Sequence, residues 1–292
     1  MIIIRPFAGK AFKFNICALV LFTIVFSACV PAKVIQRSPD ALRAMLEPGI
    51  KMTKPNGIGP HPAVFLMHGA GDPVWREGYG DWMKWLNEQG HVAAFIDSVT
   101  VRGVSGESLM TGTLMSRERA ADVFIALEYL RGQEFIDGER IAVIGFSHGA
   151  DSALDALVQA PPAGPLEALT EVPHKGLEGL CAVVAFYPGC RKPVMGYRVT
   201  EVYDRSWVVK VPVLILQGGA DTFVDIELCQ KAVERQKRVG TPVEYVFYPG
   251  TPHCFDAIYT DNLDDPNCYM VPDKARDARN RVKKFLKLHL GK

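Results

Sequence analysis

Apolar residues recur along the chain in two alternating rhythms. The first is a set of short continuous runs: "AVFLMHG" from Ala63, "HVAAFIDS" from His91, "RIAVIGFS" from Arg140, "LCAVVAFYPG" from Leu180, "VPVLILQGG" from Val211 and "PVEYVFYPG" from Pro242. Most are rich in β-branched or aromatic residues and end near glycine, as buried strands do. The second rhythm spaces apolar residues by three and four in "YGDWMKWLNEQG", "SRERAADVFIALEYLRG", "HGADSALDALVQA", "DIELCQKAVERQKRVG" and "DKARDARNRVKKFLKLHL". These predict helices, with Ser116 as an N-cap and Pro161-Pro162 as a stop. Strands that are apolar on both faces, alternating with amphipathic helices, predict an α/β fold: a mostly parallel sheet covered by helices on both faces.

Three stretches stand outside that alternation. Residues 30–52 are mixed, with one short helix in "DALRAML" and a break at Pro48-Gly49, and read as a tether and lead-in. Residues 162–180 are longer and looser than the other connections and read as a cap or lid. Nothing resembling a linker interrupts residues 53–292, which are therefore expected to form one domain. The third stretch, residues 1–29, begins with Arg5, Lys10 and Lys13 and continues into "ICALVLFTIVF" from Ile16 to Phe26. That run suits an export signal better than a spanning helix, which needs about 20 apolar residues. It ends in "FSAC", where small Ser27 and Ala28 precede Cys29, a pattern that resembles the bacterial lipoprotein signal, although Phe26 departs from it. The expectation is an exported chain lipid-anchored at Cys29 in the cell envelope, whose contact with membrane is through that anchor.

Composition adds exclusions. A formal net charge of +1 over 292 residues, with no block of like charge, gives no push toward nucleic acid. None of the seven cysteines forms a C-x-x-C pair, so no metal site is expected. Cys17 and Cys29 fall in the leader. The remaining five allow two disulfides and one free thiol in an oxidising compartment. Cys181 opens a strand and is read as buried and unpaired. The pairing adopted, Cys190–Cys229 and Cys254–Cys268, is a choice that spacing alone does not dictate.

In a parallel sheet, ligands bind at the carboxyl ends of the strands. Four loops fall there: "HGAGD", "GFSHG", "GGADTFVD" and "YPGTPHCFD". They bring a serine, two aspartates and a histidine, in that chain order, to one edge. Ser147 stands in Gly145-Phe146-Ser147-His148-Gly149, between a strand and a helix. So sharp a turn crowds its neighbours, which is the reason for the glycines, and the helix start directs backbone N–H groups at the same place. The pattern predicts Ser147 as a nucleophile and His253 as its base. Asp221 is the favoured acid, because Asp225 is placed to cap the helix beginning "IELCQKA". The backbone N–H of His148 and that of Gly69 or Ala70 are the expected oxyanion donors, and the ring of His68 is expected to be structural.

With these residues placed, the chain resembles the dienelactone hydrolase family of the α/β-hydrolase superfamily. The resemblance runs from roughly Lys51 to Leu290 and rests on "HPAVFLMHGAG", "AFIDSVTVRGVS", "IAVIGFSHGA", "AFYPGC", "GGADTFVD" and "YPGTPHCFD" in that order. It implies an α/β-hydrolase fold and a Ser147, Asp221, His253 triad acting on a small-molecule ester with no cofactor. It also supports the Cys190–Cys229 bridge and makes Arg102 a candidate for binding a substrate carboxylate. Two departures count against dienelactone itself as substrate: Ser147 replaces the cysteine nucleophile of the dienelactone-cleaving members, and Ala150 replaces their last glycine. Peptide or carbon–carbon bond hydrolysis on the same fold, and a catalytically silent binding protein, are the alternatives.

Overall fold

The computed structural model describes residues 34–71, 74–160, 166–190, 207, 210–256 and 266–291. The leader, with Cys17 and the expected lipid site Cys29, lies outside the described residues. The described residues belong to the second of two compact units, Pro31–Lys292. Its elements run α1 (Pro39–Leu46), β1 (Ile50–Thr53), β2 (His61–Met67), α2 (Glu77–Glu88), β3 (Val92–Ile96), the single turn α3 (Glu107–Met110) and α4 (Ser116–Arg131). They continue with β4 (Ile136–Phe146), α5 (His148–Gln159), β5 (Leu180–Phe186), β6 (Val213–Gly218), α6 (Ile226–Arg238), β7 (Val243–Tyr248) and α7 (Pro272–Leu290).

The strands form one seven-stranded sheet in the order β1-β3-β2-β4-β5-β6-β7. All neighbours are parallel except β1, which pairs antiparallel with β3 from Ile50↔Ile96 to Thr53↔Ala93. Successive side chains of a strand point to opposite faces, and both faces are buried. Thus Ala63, Phe65 and Met67 of β2 join the core beneath α1, α4 and α5, whereas Val64 and Leu66 join the core beneath α2 and α7. This is why the central strands read as unbroken apolar runs rather than alternating ones.

Three expectations change. The lead-in is part of the sandwich: Leu42 and Leu46 of α1 are buried in the core, and β1 is an edge strand of the sheet. Its signal was weak because a four-residue edge strand, "IKMT", is only half covered and carries little apolar pattern. Ser116 is the first residue of α4 and not its cap. Met115 takes the cap position, its N–H donating to the Glu118 carboxylate at 2.9 Å, while the Ser116 hydroxyl bonds the buried Asp155. Finally, the described part of 162–180 is a packed connection rather than a free flap. Leu166 and Leu169 are buried with α1, α4 and α5, and Arg37 pairs with Leu169. Glu167 meets Arg117 at 3.0 Å.

Candidate active site

Ser147 stands between the last residue of β4 and the first of α5 with φ 51° and ψ −118°. A side chain in that conformation is strained and persists only where its surroundings hold it. Here the fold does so by close approach. A Cβ at Gly145 would lie 2.4 Å from the Gly149 carbonyl oxygen, and one at Gly149 only 2.1 Å from that of Met67. The helix start is therefore pressed against the end of β2, and only glycine fits at either flank. The Ser147 N–H donates to the Phe186 carbonyl at 2.9 Å, tying the turn to β5.

The loops after β6 and β7 meet the serine from the other side. A Cβ at Gly218 would fall 2.4 Å from the Pro252 carbonyl oxygen, so glycine lets the two loops interlock, and the Ala220 N–H donates to Thr251 at 2.8 Å. This juxtaposition leaves His253 Nε2 at 2.9 Å from Ser147 Oγ and His253 Nδ1 at 2.5 Å from Asp221 Oδ2. A carboxylate can only accept, so Nδ1 carries the proton and Nε2 is the acceptor facing the hydroxyl. Asp221 Oδ1 accepts the Phe223 N–H at 2.9 Å, and Oδ2 also accepts from Gln217 Nε2 at 3.1 Å. The imidazole is 5% exposed and lies between two rings, Tyr187 at 4.5 Å and Phe223 edge-on at 5.3 Å. Asp225 has a different role: its carboxylate accepts from the Leu228 N–H and caps α6.

The two candidates for the second oxyanion donor separate cleanly. The Gly69 N–H is spent on the hydroxyl of Tyr79 at 3.0 Å, whereas the Ala70 N–H has no partner among the described residues. Of the two, Ala70 therefore keeps its N–H as the candidate donor to accompany that of His148, the first residue of α5. The His68 ring is structural. It donates from Nδ1 to the Gly69 carbonyl at 2.7 Å and accepts the Ser98 N–H at Nε2, and burial holds its pKa well below the usual value.

Arg102 is not poised for a substrate. Its guanidinium grips Asp122 with two bonds of 2.6 and 3.1 Å and also bonds the Ser98 carbonyl, and the pair is almost wholly buried. A loop arginine looks solvated in sequence because its partner lies in another element. The disulfides are Cys190–Cys229, joining the loop after β5 to α6, and Cys254–Cys268, beside the proposed base. Cys181 is free but only half-buried, at the edge where β5 begins, with its thiol donating to the Glu139 carbonyl at 3.1 Å.

Three contributors went unread in the sequence. Gln217 had a signal, a lone amide in the apolar run "VLILQGG", where a buried polar group calls for a partner. Tyr187, at φ 38°, packs its ring on His253 and donates its hydroxyl to Asp256 at 2.8 Å. Arg119 had none, since an arginine in "SRERAADVF" reads as an exposed helix residue.

Comparison with known proteins agrees with this architecture. A model of the dienelactone hydrolase family matches residues 168–290. An uncharacterised protein of Mycobacterium tuberculosis is 33% identical over 196 residues, 67% of this chain and 64% of the relative, so the chain spans less than two thirds of that protein. Acylamino-acid-releasing enzyme 1 of rice is 23% identical over 68% of this chain and 28% of its own length. Among solved structures, esterase 2 of Thermogutta terrifontis superposes with a TM-score of 0.62 at 17% identity, covering 82% of this chain and 89% of that one. A Klebsiella pneumoniae protein assigned as a dienelactone hydrolase gives 0.62 at 16%, covering 81% and 98%. The chain thus shares the fold of these esterases, and its C-terminal part, residues 168–290, matches the dienelactone hydrolase family.

Proposed function

We propose that this protein is a serine hydrolase that cleaves a carboxylic ester through an acyl-enzyme on Ser147. The observation that carries the reading is the continuous relay from Ser147 Oγ through His253 to Asp221, with contacts of 2.9 and 2.5 Å. His253 Nε2 removes the hydroxyl proton as Oγ attacks the ester carbonyl carbon. The Asp221 carboxylate stabilises the imidazolium and holds its tautomer. The N–H groups of His148 and Ala70 receive the oxyanion. His253 then returns the proton to the departing alcohol, and a water deprotonated by the same imidazole releases the acid. Esterase and dienelactone hydrolase relatives support this reaction class. The two disulfides support work in an oxidising compartment, to which residues 1–29 would deliver the chain.

A peptidase reading draws on the rice acylamino-acid-releasing enzyme and on dipeptidyl peptidase 4 of Porphyromonas gingivalis, which superposes with a TM-score of 0.59. Parallel assays with p-nitrophenyl esters of graded acyl length and with N-acyl amino-acid p-nitroanilides separate the two. We expect a burst and turnover with short acyl esters. Turnover restricted to the anilides would replace the ester reading, and no turnover of either class would defeat both.

A further inference from the structure

We propose that Arg119 is a positioning residue for the oxyanion hole, a buried guanidinium that holds the two segments carrying its N–H donors in register. The inference rests on the hydrolase reading above and extends it to a residue outside the relay. Arg119, in the first turn of α4, is completely buried. Its Nη2 donates to the His68 carbonyl at 3.0 Å, and its Nη1 meets His148 Nδ1 at 2.9 Å. His68 lies two residues before Ala70, and His148 itself supplies the other donor. One rigid, planar group therefore bonds both segments that carry the proposed donors.

Chemistry fixes the direction of each bond. A guanidinium only donates, so His148 Nδ1 accepts and that ring carries its proton on Nε2. The fork sets the spacing between its acceptors, which lysine, a single point donor, cannot do. The same junction is pressed together independently, since a Cβ at Gly149 would also sit 2.6 Å from the His68 carbonyl oxygen. Asp122, one turn along α4, extends the brace to a third strand end by gripping Arg102, which bonds Ser98 after β3. A buried positive charge beside this junction also favours the negative charge that develops in the transition state more than the neutral ester.

The test uses the full chain and two readouts: steady-state hydrolysis of p-nitrophenyl acetate, and inhibition by an aryl trifluoromethyl ketone, whose tetrahedral adduct places an oxyanion in the hole. For Arg119→Met we expect kcat about 100-fold lower with KM within about threefold, a loss of the size seen when an oxyanion donor is removed. Inhibitor affinity should fall by the same factor as kcat/KM. Arg119→Lys, which keeps the charge without the fork, should recover part of both. Circular dichroism identifies folded variants. If Arg119→Met does not fold, Arg119→Lys and His148→Ala carry the same two readouts, each with kcat and inhibitor affinity expected to fall together. Folded variants with wild-type kcat and inhibitor affinity would overturn the role of Arg119 while leaving the relay intact. A wild-type protein that hydrolyses no ester and whose Ser147 takes no fluorophosphonate would overturn the underlying reading, and the role of Arg119 with it.

Discussion

Two regions of the molecule converge on the same serine by different physics. The loops after β4, β6 and β7 place Ser147, Asp221 and His253 through backbone geometry: a positive φ at the serine, and glycines where a Cβ would meet a carbonyl oxygen at 2.1–2.4 Å. The start of α4 works instead through buried charge, with Arg119 reaching His68 and His148 and Asp122 holding Arg102. Backbone crowding tolerates no substitution and leaves a local mark in sequence. Charge pairing depends on partners far away in the chain and leaves almost none. The first region carries the groups proposed to react, and the second is proposed to hold the strand ends that bear them.

The sharpest break in that comparison comes from the relay. Ser147→Ala and His253→Ala should each lower kcat for a short activated ester by about 10⁴-fold or more, leaving only what binding and the oxyanion hole supply. Neither should change the urea midpoint by much, because the removed groups react more than they pack. A crowded glycine should do the reverse of a surface residue. Gly149→Ala would force the α5 start away from β2 and should cost about 3 kcal/mol or more in urea unfolding, with activity lost as well. Gly250→Ala, at φ 67° with open space around it, should cost only about 1 kcal/mol and spare turnover.

The charged region responds in stability first. Arg102→Met strands a buried Asp122 carboxylate and should cost about 3 kcal/mol, since breaking one side of a buried pair leaves the other uncompensated. The KM for an ester bearing a free carboxylate should not change selectively. A specific rise there would restore Arg102 to substrate binding. A pH-dependent effect concerns Asp256, whose pKa burial pushes up to about 6 from an ordinary 3.8. Between about pH 4 and 6 the folded protein holds a proton that the unfolded chain has released, so stability from this group is present below pH 4 and lost as pH rises through 6. The change amounts to about 2–3 kcal/mol. Asp256→Asn still accepts the Tyr187 hydroxyl and should flatten the profile over that window. An unchanged slope would remove Asp256 as its source.

The same contrast explains what could be read in advance. The parallel sheet, its helices and the loops bearing Ser147, Asp221 and His253 were legible, because continuous apolar runs and tight glycine turns are local consequences of burial and crowding. β1 was missed because a half-exposed edge strand needs little apolar pattern. Arg102 was misread and Arg119 overlooked for one reason: the partners that make them structural lie 20 to 51 residues away. Choosing Ala70 over Gly69 required seeing where the Tyr79 hydroxyl falls, a contact that no spacing rule encodes.

The central claim, that Ser147 is a nucleophile activated by His253, is tested most directly by its covalent reactivity. The folded protein, briefly exposed to a fluorophosphonate and digested for peptide mass spectrometry, should carry one adduct, on Ser147. The His253→Ala variant should be labelled far more slowly. An unlabelled Ser147 in folded protein, or labelling at the same rate without His253, would contradict the account.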